Sequence, residues 1–181
     1  FAHQTGLGID HEPDAVLIFE PVEEGTGDNG SNHEVTLYFR PLAGRDTTEF
    51  YADARYGEFW VGPRPTLKEF SERFGIRTRD LSELEVAITK NAGNQGLGGV
   101  NIRLVRNVDP AVDALVDTSR YNTGVELEQA DKLDSELAVA LSEARLIKDA
   151  IEVENLQRSV DMTVKGFEEV VRELPKAVKH H

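Results

Sequence analysis

The feature that most restricts the fold of this chain is the stretch Ala15 to Val22. It is an apolar run held between Pro13 on one side and Pro21 with acidic neighbours on the other. A strand that is apolar at successive positions has both faces covered, because alternate side chains point to opposite sides of a sheet. The run therefore predicts a central strand and helices on either side of it. The next eleven residues, Glu23 to His33, are polar and glycine-rich and contain Asp28-Asn29-Gly30, residue types that tolerate positive φ. They read as a long, flexible hairpin loop. Beyond it Val35, Leu37 and Phe39 alternate with Thr36, Tyr38 and Arg40, so a second strand with one apolar face is expected to pair antiparallel with the first.

Further along, Tyr56 to Pro65 is short, aromatic and interrupted by Gly62, Pro63 and Pro65, and reads as a brief strand entering an irregular loop. Leu67 to Phe74 reads as a turn or two of helix, and Asp80 to Lys90 as a helix followed by a glycine-rich turn at Gly93 to Gly99. Val100, Ile102 and Leu104 alternate into an expected third strand. Asp109 before Pro110 is an N-cap and N1 pair that opens a helix through Val116. Leu127, Leu133, Leu137 and Leu141 carry another helix towards Arg145. Finally, Asp149 and Glu152 form an aspartate version of the capping box. After them Val153, Leu156, Val160, Val164, Phe167, Val171 and Leu174 recur at steps of three and four. Such a stripe needs a cover, supplied either by its own domain or by a partner further along a longer chain. Strands interleaved with helices make the fold class α/β: a three-layer domain with a mixed β-sheet flanked by helices, plus a C-terminal amphipathic helix.

Composition narrows the partners. The 181 residues suffice for one domain with a trailing helix, and such a chain buries roughly 70% of its unfolded surface. Twenty basic against thirty-three acidic residues give a net charge of -13, which repels polyanions, so no nucleic-acid partner is expected. The apolar runs fall far short of the ~20 residues that a membrane span needs. No membrane association is expected. Without cysteine there is no disulfide, thiolate metal site or cysteine nucleophile, which suits a cytoplasmic protein. The chain opens at Phe1 rather than Met, and His180-His181 is read as the remnant of an expression tag.

Candidate chemistry is sparse. His11-Glu12-Pro13-Asp14 contains metal-ligating residue types, but the second histidine of HExxH is missing and proline interrupts the helix that would align the ligands. Gly96, Gly98 and Gly99 resemble half of a dinucleotide fingerprint but precede a strand instead of following one, and read as a plain turn. Asn29-Gly30-Ser31 matches a glycosylation sequon without other signs of secretion. The scattered histidines offer no nucleophile-base pair. No catalytic or metal-binding residue is assigned. Trp60, the only tryptophan, lies in a Gly/Pro-rich loop, where it either fills the core or anchors a ligand or partner subunit.

Three ordered segments then carry a resemblance. Thr5-Gly6, followed by Glu12-Pro13-Asp14-Ala15-Val16-Leu17, resembles the "TG…EP-[DE]-A-V-L" pattern of the N-terminal domain of Xaa-Pro aminopeptidases, in the prolidase and creatinase superfamily. Glu58-Phe59-Trp60-Val61-Gly62-Pro63-Arg64 resembles that family's "E-x-W-x-G-x-R" loop. Glu143 to Glu152 resembles its "E-x-R-x-x-K-x-x-x-E" junction into the catalytic domain. The resemblance implies residues 1–144 as the N-terminal domain and 145–179 as the junction and first catalytic-domain helix. Catalysis would then belong to a further domain that holds two divalent metals, manganese in the family. The implied partners are that catalytic domain, neighbouring subunits and a peptide with proline in second position. By resemblance Trp60 and Arg145 lie on the substrate side, with an inter-element salt bridge as the alternative role for Arg145. The equivalent domain of a prolidase or creatinase-like enzyme, and a free-standing interaction module acting through the helix from Asp149, are the alternative readings.

Overall fold

The computed structural model describes Thr5 and residues 12–22, 24–90 and 100–179. His11, the glycine-rich turn from Gly93 to Gly99 and His180-His181 lie outside the described residues. The chain forms two compact units, Phe1–Ala138 and Val139–His181. In the first, β1 (Val16–Pro21) pairs antiparallel with β2 (His33–Phe39), with Leu17 opposite Leu37 and Phe19 opposite Val35, as the hairpin reading expects. Between them a single 3-10 turn at Asp28–Gly30 holds Asn29 at φ 56° and Gly30 at φ 75°, the left-handed conformations that these residues tolerate best.

The strand order is β1-β2-β3, which corrects the expected position of the first strand. β1 is an edge strand with Phe19 half exposed, whereas β2 is the central strand, buried on both faces at Thr36, Leu37, Tyr38 and Phe39. Alternation at Val35, Leu37 and Phe39 marked one face correctly. It missed that the polar-looking Thr36 and Tyr38 on the other face are covered as well.

The third strand is a second correction. β3 (Arg77–Asp80) runs parallel to β2, whereas the segment from Val100 to Leu104 makes one isolated bridge at Val100 and no strand. Its backbone groups are satisfied by side chains instead: Leu104 N–H donates to Asp134 Oδ1 at 2.7 Å and Ile102 O accepts from Arg120 Nη2 at 2.8 Å. Arg120 and Asp134 are both buried and form a two-pronged pair at 2.8 and 2.6 Å. Arg106 adds Nε to Asp134 Oδ2 at 2.7 Å and Nη2 to Asp117 Oδ1 at 2.5 Å. This network ties the 100–106 segment to helices α5 (Pro110–Asn122) and α6 (Leu127–Ala144). Asp109 caps α5 through Ala111 N–H at 2.8 Å, with Pro110 in the first turn.

Between β2 and β3 the chain forms α1 (Thr48–Ala52), α2 (Glu58–Val61) and α3 (Leu67–Phe74). The α2 turn corrects the strand expected over Tyr56 to Pro65, because Gly57 O and Glu58 O accept the amides of Val61 and Gly62 and close a helical turn. Thr66 and Glu69 form a complete capping box for α3, which presents Leu67, Phe70 and Phe74 to the sheet. The core is Leu37, Phe39 and Phe70, flanked by Ala15, Leu17, Leu67, Phe74 and Ile76. The Phe39 and Phe70 rings lie 5.0 Å apart, a separation typical of favourable tilted pairs. After β3, α4 (Leu84–Thr89) buries Leu84 and packs on α5.

In the second unit, α7 (Ala150–Lys179) starts at the expected box, with Glu152 N–H to Asp149 Oδ1 at 2.8 Å and Asp149 N–H to Glu152 Oε2 at 2.9 Å. The apolar stripe of this helix is exposed: Leu156, Val160, Val164 and Phe167 are each half exposed or more. The α/β class, the mixed sheet and the C-terminal helix are as expected from sequence. Among the described residues no helix is long and apolar enough to cross a membrane.

Candidate functional site

Two segments that are far apart in sequence, Glu12-Pro13-Asp14 and Tyr56 to Arg64, converge on one polar cluster. Its centre is the Arg64 guanidinium, whose side chain is 5% exposed and pairs with Glu12 at 2.8 Å, itself 9% exposed. A planar guanidinium carries five N–H donors in a fixed fork, and here the four on Nη1 and Nη2 meet four acceptors. Nη2 serves Glu12 Oε2 and Arg40 O, while Nη1 serves Tyr56 O at 3.2 Å and Pro41 O at 3.5 Å. One side chain thus fastens the end of the β2 segment, the residue before Gly57 and the Glu12 segment to one another.

Tyr56 lies within the same cluster. The Arg40 and Arg64 guanidinium carbons lie 4.6 and 5.2 Å from its ring centroid, within cation–π range. Its hydroxyl donates to Asp14, which also accepts from Arg55 Nε at 2.9 Å. Hydrogen bonds from Arg55 and Tyr56 hold the Asp14 carboxyl below its ordinary value, against a smaller opposing effect of burial. Burial, then the Asp14 bond, push the Tyr56 phenol up. These carboxylates are occupied by cations and a hydroxyl, which is a structural arrangement and not that of a general base.

Above this base stands an exposed aromatic edge. Glu58 Oε1 accepts Ala43 N–H at 2.9 Å, and Trp60 Nε1 donates to Tyr51 O at 2.6 Å. The Trp60 ring meets Phe59 edge-on at 5.1 Å, and Phe59 lies 5.8 Å from Tyr51. Trp60 is 61% exposed and Phe59 60%, so the core-filling alternative for Trp60 does not hold. The Tyr51 carbonyl in α1 tethers the indole by its N–H and leaves the ring exposed to solvent. Gly57 makes the geometry possible: a Cβ there would lie 2.5 Å from Glu49 O and Asp53 O.

Arg145 lies in the other unit, in the turn between α6 and α7. It is exposed, and its guanidinium donates to Ser142 Oγ at 3.4 Å. Among the described residues no carboxylate pairs with it, so the salt-bridge alternative is not seen. Residues suited to a pair of divalent cations are not gathered here either. Among the described residues no three His, Asp or Glu side chains are placed to hold a metal ion. Two metals bridged by hydroxide need such a cage, so the described residues do not fit a dimetal centre.

Reading motifs from sequence marked Trp60 and missed the residues beneath it: Arg64, Tyr56, Asp14 and Gly57. The signal was available, since Glu12, Asp14 and Arg64 all stand inside the two motif segments. What one sequence lacks is the pairing between segments 52 residues apart.

Comparison with curated proteins places this arrangement in context. The chain is 37% identical over 177 residues to Xaa-Pro aminopeptidase 1 of Streptomyces coelicolor, a match that takes in 98% of this chain and 30% of that protein. The same figures hold for Xaa-Pro aminopeptidase 1 of Streptomyces lividans. Xaa-Pro aminopeptidase 2 of Streptomyces coelicolor is 35% identical over 178 residues, covering 98% of this chain and 32% of the relative. The chain thus spans about a third of the length of these relatives. No protein-family model matches it, and no solved structure does.

Proposed function

The chain is homologous to Xaa-Pro aminopeptidases over nearly its whole length, and from that premise we propose that it is the non-catalytic N-terminal domain of such an enzyme. The observation that carries the reading is the convergence of the Glu12 and Tyr56–Arg64 segments on one buried arginine that underlies an exposed aromatic edge. In the parent enzyme, residues outside this segment would hold two divalent metals, manganese in the family, and this domain would supply walls. Trp60 would stand on the substrate side, narrowing access to slender peptide ends with proline in second position and contributing to subunit association. By the same resemblance Arg145, in the turn leading into α7, would belong to the substrate side of the parent enzyme.

The exposed stripe of α7 supports the further placement of that helix against the catalytic domain, because an apolar helix face gains its stability from a packed partner. Residues 145–179 are accordingly assigned as the junction and the first helix of that domain. The test is direct. Incubation of this chain with an Xaa-Pro peptide and excess manganese is expected to give no turnover above buffer; turnover that scales with protein would overturn the accessory role. The free-standing binding module is separated from it by deleting residues 150–179: only a module that binds through that helix would then lose a partner it had previously captured.

A further inference from the structure

We propose that Arg64 is the positioning residue of the Trp60 edge, acting through the backbone of the loop that it closes. The proposal rests on the substrate-side placement of Trp60 given above. Arg64 follows Gly62 and Pro63, with Gly62 at φ 87°, so the chain turns sharply after α2 and brings the Arg64 side chain back under the loop. There it donates to Tyr56 O, the carbonyl immediately before Gly57. The segment 56–64 is therefore closed on itself by one side chain, and the α2 turn with Phe59, Trp60 and Val61 is held as its tip.

The other donors of Arg64 fasten that closed loop to Arg40 O and Pro41 O, at the end of the central strand, and to the Glu12 carboxylate. Two secondary ties act on the tip, from Ala43 N–H to Glu58 Oε1 and from Trp60 Nε1 to Tyr51 O. Both depend on α2 staying at one height above the strand end. The α2 turn has only four residues and none of them is buried, so packing alone does not hold it. A side chain that spans four acceptors from buried ground does.

Lysine cannot reproduce this. Its single ammonium can meet Glu12, but it cannot reach two backbone carbonyls on either side of a fork. Arg64→Lys thus separates charge from geometry, and Arg64→Met removes both. Because Trp60 is the only tryptophan, its fluorescence reports on the edge without interference. The experiment is time-resolved anisotropy of this chain and of both variants, together with steady-state kinetics of the full-length enzyme carrying Arg64→Lys, against Arg79→Met as a surface control. Circular dichroism melts confirm that Arg64→Lys is folded at the measuring temperature.

Positioning predicts a new fast anisotropy component in Arg64→Lys that is absent from Arg79→Met, and a KM raised several-fold while kcat is largely kept. Indole motion identical to wild type in folded Arg64→Lys overturns the proposal. A loosened indole with unchanged KM leaves Arg64 as the clamp and overturns the substrate-side placement of Trp60. If Arg64→Met alone loosens the ring and Arg64→Lys does not, charge rather than the fork holds the loop, and the proposal also fails.

Discussion

Asp134 and Gly57 show how single residues carry the first unit. Burial of Asp134 would raise its carboxyl, but bonds from Arg120, Leu104 N–H and Arg106 outweigh that and hold it below the ordinary 3.8. A depressed folded value means that this contribution to stability is full above the ordinary carboxylate range and is lost as the pH falls through the folded value. Asp134→Asn is therefore expected to cost about 3–5 kcal/mol near neutrality, because it leaves Arg120 buried without its counter-charge. In urea titrations the gap to wild type should shrink as the pH is lowered below about 4, the ordinary carboxylate range; a gap independent of pH would contradict the assignment. Gly57→Ala would force a Cβ to within 2.5 Å of two carbonyl oxygens, and a loss of about 1–3 kcal/mol is expected in thermal melts. Neither residue stands out in the sequence, where Asp134 is one of thirty-three acids and Gly57 one of fifteen glycines. Asp134 matters through partners 14 and 30 positions away, and Gly57 through the carbonyls of the helix just before it.

Elements whose stabilising partners lie within three or four residues were legible. The α3 and α7 starts carry capping boxes in the sequence itself, and the Asp109-Pro110 start of α5 is equally local. Thr66→Ala should remove the Glu69 N–H bond and cost about 1 kcal/mol, visible as a lowered urea midpoint at unchanged slope. Strands were harder to read. Arg77-Thr78-Arg79-Asp80 lacks apolar alternation, yet it pairs with β2 because Thr78 Oγ1 reaches Leu67 O, and Arg77 meets both Asp28 and Glu34. The segment from Val100 to Leu104 alternates well but donates from Leu104 N–H to Asp134 and accepts at Ile102 O from Arg120. Alternation reports which side chains could be covered, while ladder formation depends on which edge is free. The one edge beside β2 left open by β1 was taken by β3.

Across the molecule, two features leave apolar surface exposed: the aromatic edge at Phe59-Trp60 and the stripe of α7. Phe167, at 67% exposure, makes a clean test, since Phe167→Ser should change the stability of this chain by no more than about 0.5 kcal/mol. On the role proposed above, in which a catalytic domain covers the stripe, the same substitution in the full-length parent should lower its melting temperature measurably. The parallel pairing of β2 with β3 has a further implication. Parallel neighbours cannot be joined by a tight hairpin, so everything from Arg40 to Ile76 forms one excursion that leaves one strand and comes back to the next. Trp60, its tether on Tyr51 and its clamp at Arg64 all travel on that excursion, and both of its ends are pinned in adjoining rungs of the sheet. The excursion is therefore divided in its tolerance: the solvent-facing tip at α2 can change its reach, whereas α3 cannot be exchanged, because its Phe70 completes the core with Leu37 and Phe39.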